Sequence, residues 1–531
     1  MSDFDIEGMA LPDQQGAGGA GIFDISDADG VNESERLLMK LCRSSFLSLW
    51  SYANLHTDQD MRDGKGSAKE FADVLVVFGN DVVIFSDKHV VFQDDKLLEV
   101  AWKRWYKRAV DASAAQLHGA KGWVTRFPNR VFQDSKCLRP LSVALPAPEQ
   151  ARFHLVAVTR GSREACARYF GGGSGTLVIK TDVVGADHGD TPFTVGIVSP
   201  GKAFVHVLDE FSLEVVMGEM DTARDFIDYL IDREAFLTAG HIVMAAGEEQ
   251  LVSAYLTNGD EDGRRFLPKG AESTGQEVIV IDDTHYDGLL ARPEYIAKRE
   301  QDAPSYLWDK LIERFIRIGD PALVAPAGHA QSAAETEEGL RIIAGESRFR
   351  RRLLVDTLRE TIERAALSDG RAVRLFSTKQ EPEIAYVFVI APKLDDEDYA
   401  EYRRHRMAVL HAYTTCAKLK HAAGVTFLGL AFDHPNKKYE GASEDFFVVS
   451  YPNFTDEIRE ELERRRLDLG IWSDKAKTRY EPADEYPLFM EQMRTSLNNL
   501  EAVGKSHVDK TKRNRAKAAK ASRRINRKKR K

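Results

Sequence analysis

The densest chemistry in the chain lies between Lys69 and Lys88. Two apolar runs, Ala72–Phe78 and Val82–Phe85, flank Gly79-Asn80-Asp81. Such a Gly/Asn/Asp cluster between β-branched runs predicts a hairpin. Antiparallel pairing then returns the pair Asp87-Lys88 to the end where Asp73 opens the first strand, with Glu70 just outside it. Two carboxylates and an ammonium at the rim of an apolar sheet are costly to desolvate without a partner. A divalent cation resolves that cost. Hard oxygen donors suit Mg²⁺, or Mn²⁺ in its place, and Mg²⁺ commonly takes one or two carboxylates, water and a phosphate. Asp73, Asp87 and Glu70 are the expected ligands. The chemistry this points to is phosphodiester hydrolysis: the metal acidifies a bound water and neutralises the phosphate, and Lys88 orients that water or meets the developing charge.

The surrounding elements must position these groups. Leu37, Leu38, Leu41, Cys42, Phe46 and Leu47 recur at helical spacing up to Trp50. After the hairpin, a helix is predicted from Lys96 to His118, a buried strand over His154–Thr159, a helix over Arg163–Tyr169 and a strand over Thr176–Lys180. In this order, and with Asp73 followed by Asp87-Lys88, the segment resembles the PD-(D/E)XK, restriction-endonuclease-like, nuclease superfamily. It is similar in particular to the nuclease-related domain within that superfamily. The resemblance covers roughly a quarter of the chain and its motif is short. It implies a core of helix, three strands, helix and strand, and a metal-dependent nuclease acting on DNA or RNA in bacterial defence or DNA repair. It also implies that Glu35 is the acid carried on the first helix and that Gln116 lies near the site.

One position departs from the family pattern. The second acid there stands two residues before the lysine, and here that residue is Ser86. Asp87 alternates to the opposite face of its strand. A bulge re-aims Asp87, or Glu70 supplies the carboxylate, or Ser86 binds the metal through water, or the site is inactive.

Contacts to a polyanion are expected at two places. Trp102-Lys103-Arg104-Trp105-Tyr106-Lys107-Arg108 interleaves cations with aromatics, suiting Lys103, Arg104, Lys107 and Arg108 to phosphates and the rings to base stacking. The same pattern also suits an amphipathic helix whose tryptophans enter the core while its cations reach water. From Lys505 to Lys531, 14 Lys or Arg accompany a single acid, Asp509, a local charge of +13, so the net −9 leaves −22 on the remainder. Such a tail, including Arg523, Arg524, Arg527 and Lys528, attracts nucleic acid by counterion release and would act as a tether.

A chain of 531 residues exceeds what one core usually serves. The expected class is α/β and multi-domain, with an N-terminal restriction-endonuclease-like mixed sheet flanked by helices. The expected parts are a leader (1–31), the nuclease-like domain (32–185), a mixed middle module (190–275), a C-terminal α/β domain (283–500) and the basic tail (505–531). In the middle module Phe204–Leu208 and Leu213–Met217 suggest strands, and Thr222 opens a helix through Leu237. Further on, helices are predicted over Tyr306–Ile318, Arg348–Ala366 and Asp398–Ala423, strands over Ala385–Ile390, Val425–Phe432 and Phe446–Ser450, and a connection over Pro321–Glu338. No apolar run approaches the ~18 residues that span a bilayer, and the acidic start lacks a secretory signal's features. Cys42, Cys137, Cys166 and Cys416 are scattered, which predicts free thiols in a reducing cytoplasm rather than zinc or disulfides. Gly171–Gly175 follows a helix, opens a strand and lacks a Gly-Lys-Ser/Thr ending, so it reads as a helix-terminating turn rather than a phosphate loop. Two non-nuclease readings stand beside the first: a nucleic-acid-binding protein without catalysis, and a partner-binding scaffold.

Overall fold

Asn32 starts the first helix by accepting the Glu35 amide on its side chain, and Leu38, Met39, Cys42 and Phe46 become buried at helical spacing. The computed structural model describes residues 22–61, 66–259, 263–269, 278–318, 332–437, 439, 443–473 and 478–486. Helix α1 (Glu33–Trp50) leads directly into β1 (Ser51–Ala53), and β2 (Val74–Phe78) and β3 (Asp81–His89) make the expected hairpin. A long helix follows as α2 (Leu98–Tyr106), a π turn (Lys107–Asp111) and α3 (Ala112–Arg126), then β4 (Arg152–Arg160) and α4 (Arg163–Phe170). Beyond them come β5 (Val178–Val184), β6 (Thr194–Ile197), β7 (Val205–Asp209), α5 (Glu210–Glu219), α6 (Ala223–Leu237), β8 (Ile242–Ala245), α7 (Glu248–Thr257) and β9 (Val278–Ile281).

The first sheet has the order β1-β2-β3-β4-β7. Its first two pairings are antiparallel, and β3–β4 and β4–β7 are parallel. The hairpin strands are buried along almost their whole length, as near-continuous apolar strands covered on both faces should be. Phe85 meets Phe226 of α6, which also contacts Phe46 of α1. The next residue, Ser86, meets Ser113 and Gln116 of α3. One face of the hairpin is therefore covered by α1 and α6 and the other by α3, which supplies the crossover between parallel strands.

A second sheet has the order β9-β8-β5-β6. The strand at 178–184 belongs to it, while the strand at 205–209 completes the first sheet, so the two sheets are interleaved along the chain. Leu213–Met217, expected as a strand, lies inside α5. Asp209 explains the difference: its carboxylate accepts the amides of Phe211 and Ser212 and caps a helix whose apolar side chains are buried almost all round.

A third α/β layer follows α8 (Tyr306–Ile318), α9 (Ala333–Ala344) and α10 (Arg348–Ala366). Its strands are β10 (Ala372–Ser377), β11 (Ile384–Ala391), β12 (Thr426–Asp433) and β13 (Asp445–Ser450), in that order in the sheet. Helix α11 (Tyr399–Cys416) bridges the parallel pair β11–β12, and its Leu410, Tyr413 and Cys416 join the core with Val387, Val389 and Phe427. α9 begins within the stretch expected as a connection, because Ser332 and Glu335 close a capping box there. Residues 319–331 lie outside the described part, as does the basic tail with Arg523, Arg524, Arg527 and Lys528.

All three sheets belong to one unit, Met1–Tyr286 with Pro304–Thr478; Asp287–Ala303 and Arg479–Lys531 form another. Within the second unit, helix Pro293–Asp302 starts on proline, and buried Lys298 meets Asp302 at 2.6 Å and Glu485 at 3.7 Å. No helix among the described residues is long and apolar enough to cross a membrane.

The first sheet is tied to its neighbours by a buried charge. Arg233 of α6 and Glu248 of α7, each 2% exposed, form a two-pronged ion pair. The Tyr229 hydroxyl donates to the same carboxylate, and Arg233 also meets His206 of β7. Removing one member leaves the other charged and dry, at a typical cost of about 3–5 kcal/mol. Arg233→Ala is accordingly expected to lower the melting temperature of the main transition, followed by circular dichroism, far more than Arg224→Ala on the exposed side of the same helix.

Candidate active site

Asp73 sits immediately before β2 and is only 7% exposed. Its Oδ2 accepts the backbone N–H of Asp87 at 2.6 Å, and its Oδ1 has no hydrogen-bond partner among the described residues. Burial pushes the Asp73 carboxyl up to about 6; the Asp87 amide and Lys88 oppose the rise, and Glu35 and Glu70 add to it. Lys88, Glu35 and Glu70 thus lie close enough to act electrostatically on Asp73 at the rim of the first sheet.

Asp87 plays a different part from the one expected of a metal ligand. Its side chain turns to the opposite face and takes a two-pronged contact from Arg160 of β4, Nε to Oδ1 at 3.0 Å and Nη2 to Oδ2 at 3.1 Å. Burial raises its pKa, and Arg160 opposes the rise. No bulge re-aims it, because β3 pairs with β4 in unbroken register from Asp81↔Arg152 to His89↔Arg160. Asp87 positions Asp73 through its amide instead. Arg160 was not foreseen; its only sequence signal is an arginine closing an apolar strand, and the register of a parallel neighbour cannot be read from spacing.

Glu35 is also diverted. Its carboxylate accepts the Val31 amide at 2.8 Å and the Asn32 side-chain amide, so it closes the N-terminus of α1. It reaches Asp73 as a field and not as a shared ligand. Glu70 is exposed on a short ribbon in which it pairs with His56. Ser86 is fully buried, with its hydroxyl 3.2 Å from both Ser113 Oγ and Gln116 Oε1. Gln116, which the resemblance placed near the site, meets Ser86 there.

Trp102 and Trp105 are core residues, stacked on each other at 5.3 Å. Their indole N–H groups donate to the carbonyls of His188 and Val90. They are closed to base stacking, whereas Lys103, Arg104, Lys107 and Arg108 on the same helix are exposed. Gly171, with φ of +79°, ends α4 in the left-handed conformation expected of a terminating turn.

No family model, curated protein or solved structure matches the chain.

Among the described residues, no group of three or more His, Cys, Asp or Glu side chains could hold a metal ion. Mg²⁺ does not require three, since one or two carboxylates with water and a substrate phosphate suffice. The donor set fits that sparser pattern: a buried carboxylate with an oxygen free of hydrogen bonds among the described residues, a pKa raised chiefly by burial, and Glu70 close enough to add to that rise.

The raised pKa makes Asp73 a liability for stability near neutral pH. The folded form holds the proton between 3.8 and about 6, where the unfolded chain has released it. Stability from this group is complete below 3.8 and is lost as pH rises through about 6. A shift of this size corresponds to on the order of 2–3 kcal/mol. Asp73→Asn keeps an oxygen for the Asp87 amide and removes the charge. It should melt at a higher temperature than the wild type at pH 8 in EDTA, with the gap closing toward pH 4; an equal or lower melting temperature at pH 8 contradicts the assignment.

Proposed function

We propose that the rim of the first sheet is a phosphodiester-cleaving site, making the protein a nuclease dependent on Mg²⁺ or Mn²⁺. The observation that carries this reading is the environment of Asp73, a carboxylate whose pKa is raised by its burial, with Glu35 and Glu70 adding to the rise and Lys88 opposing it. Structural carboxylates are normally compensated in place; one that folding leaves short of positive charge is a functional-site candidate. The mixed sheet with its α3 crossover, and the sequence order of Asp73, Ser86 and Lys88, support the same reading.

Asp73 and Glu70 would hold the ion. When bound, it neutralises the phosphate and acidifies a water. Asp87 fixes the Asp73 carboxylate through its amide and is itself held by Arg160. Lys88 supplies positive charge to a phosphate oxygen or orients the attacking water. The cations Lys103, Arg104, Lys107 and Arg108 neutralise backbone phosphates along the substrate. The three buried cysteines Cys42, Cys166 and Cys416, all unpaired, suit a reducing compartment such as the cytoplasm.

Ser86 in the usual acid position, and Glu35 committed to its helix, favour a second reading in which the domain binds nucleic acid without cutting it. One assay separates the two. Labelled DNA and RNA are incubated with the full chain in Mg²⁺, Mn²⁺ or EDTA. Cleavage that needs metal and falls by about a hundredfold or more in Asp73→Asn and in Lys88→Ala is the expected outcome. Binding without cleavage in every metal establishes the second reading; absence of binding at any salt concentration overturns both.

A further inference from the structure

β3 ends at His89, one residue past Lys88, and leads into a loop that carries large exposed side chains. Val91 is 74% exposed and Leu97 81%. This loop adjoins the end of α4, where Tyr169 and Phe170 are 47% and 50% exposed. The adjacency is built from three contacts. Phe193 meets both Phe92 and Tyr169, each at 5.3 Å between ring centres. Arg168 pairs with Asp94 at 2.6 Å. On the other side, Arg104 donates to Gln93 and brings α2 to the same loop.

Large side chains gathered in the open in this way mark a binding surface. Its charges indicate the occupant. Asp94, Asp95 and Asp190 are each paired with a local cation, namely Arg168, Lys96 and Lys103. Arg104, Lys107 and Arg108 form no ion pair among the described residues and are exposed at positions i, i+3 and i+4 of one helical stretch. Exposed aromatic rings edged by exposed cations are what a single nucleic-acid strand requires: π faces for unpaired bases and positive charge for the backbone. A duplex offers no bases to these rings. Beside them Gly171, Gly172 and Gly173 have open space where a Cβ would stand, leaving the approach unobstructed.

We propose that Val91, Leu97, Tyr169 and Phe170, edged by Arg104, Lys107 and Arg108, form a stacking platform for single-stranded DNA or RNA that leads to the rim site. Two residues, His89 and Val90, lie between Lys88 and Val91, three steps spanning at most about 11 Å of chain, so a strand lying on the platform reaches the site. The proposal rests on the nuclease reading only for the fate of the strand; binding itself does not depend on it.

The test is fluorescence anisotropy with the full chain in EDTA, using a fluorescein-labelled single strand and the same sequence as a duplex. Tyr169→Ser with Phe170→Ser should weaken single-strand binding by about tenfold or more and leave duplex binding unchanged, because the basic tail and the helical cations serve both forms. Unchanged single-strand affinity, or an equal loss for the duplex, overturns the platform. Should the double variant lose its fold, Phe170→Trp decides: tighter single-strand binding sustains the proposal and no change overturns it. Absent cleavage beside a retained single-strand preference would end the nuclease reading and leave the platform standing.

Discussion

Asp87 faces two ways, and the rim of the first sheet depends on it. Its amide donates to Asp73 across the hairpin, and its carboxylate grips Arg160 on the parallel neighbour. Three strands are thereby locked in register at the end where the charged groups collect. A buried carboxylate needs a guanidinium in good geometry to tolerate its surroundings, and the planar fork of arginine provides it where a lysine would not. Fixing the Asp87 side chain on one face fixes its amide on the strand edge, and so holds Asp73 against a carboxylate's preference for water.

The hairpin was legible because its signals are local. Two apolar runs, a Gly-Asn-Asp turn and acids at the far ends suffice to bring Asp73 to the Asp87-Lys88 end, and Val74↔Phe85 with Phe78↔Asp81 is the pairing that results. The helical spacing of Leu38, Met39, Cys42 and Phe46 was equally plain. Strict alternation along β3 also places Ser86 and Asp87 on opposite faces from the sequence alone. The face-by-face assignment follows from the pleat alone.

What could not be read depends on contacts distant in sequence. Arg160 reaches Asp87 only because β4 is parallel to β3, and a parallel register is set by the crossover helix, not by a turn. The interleaving of β5 and β7 between two sheets has the same origin. Leu213–Met217 misled for another reason: a helix buried on nearly all sides has no polar stripe, so its composition resembles that of a buried strand, and only the Asp209 cap distinguishes it. Trp102 and Trp105 show the converse. Their interleaving with cations fits stacking on bases and packing on a sheet equally well, and burial of both rings selects the second.

Ser86 carries the argument about chemistry furthest. At the usual acid position the hydroxyl is turned into a hydrogen-bonded group with Ser113 and Gln116 on α3. An acid there would add a further negative charge to a rim where burial, Glu35 and Glu70 already raise Asp73 to about 6. On the proposed reading, serine lets the rim tolerate the unliganded state, and a metal would be recruited largely by substrate phosphates joining Asp73. Metal affinity and substrate binding would then be coupled, because each supplies charge the other lacks. On that reading a sparse donor set would give a site assembled with its substrate, and a surface gathering the strand beside Lys88 would belong to the same physical requirement.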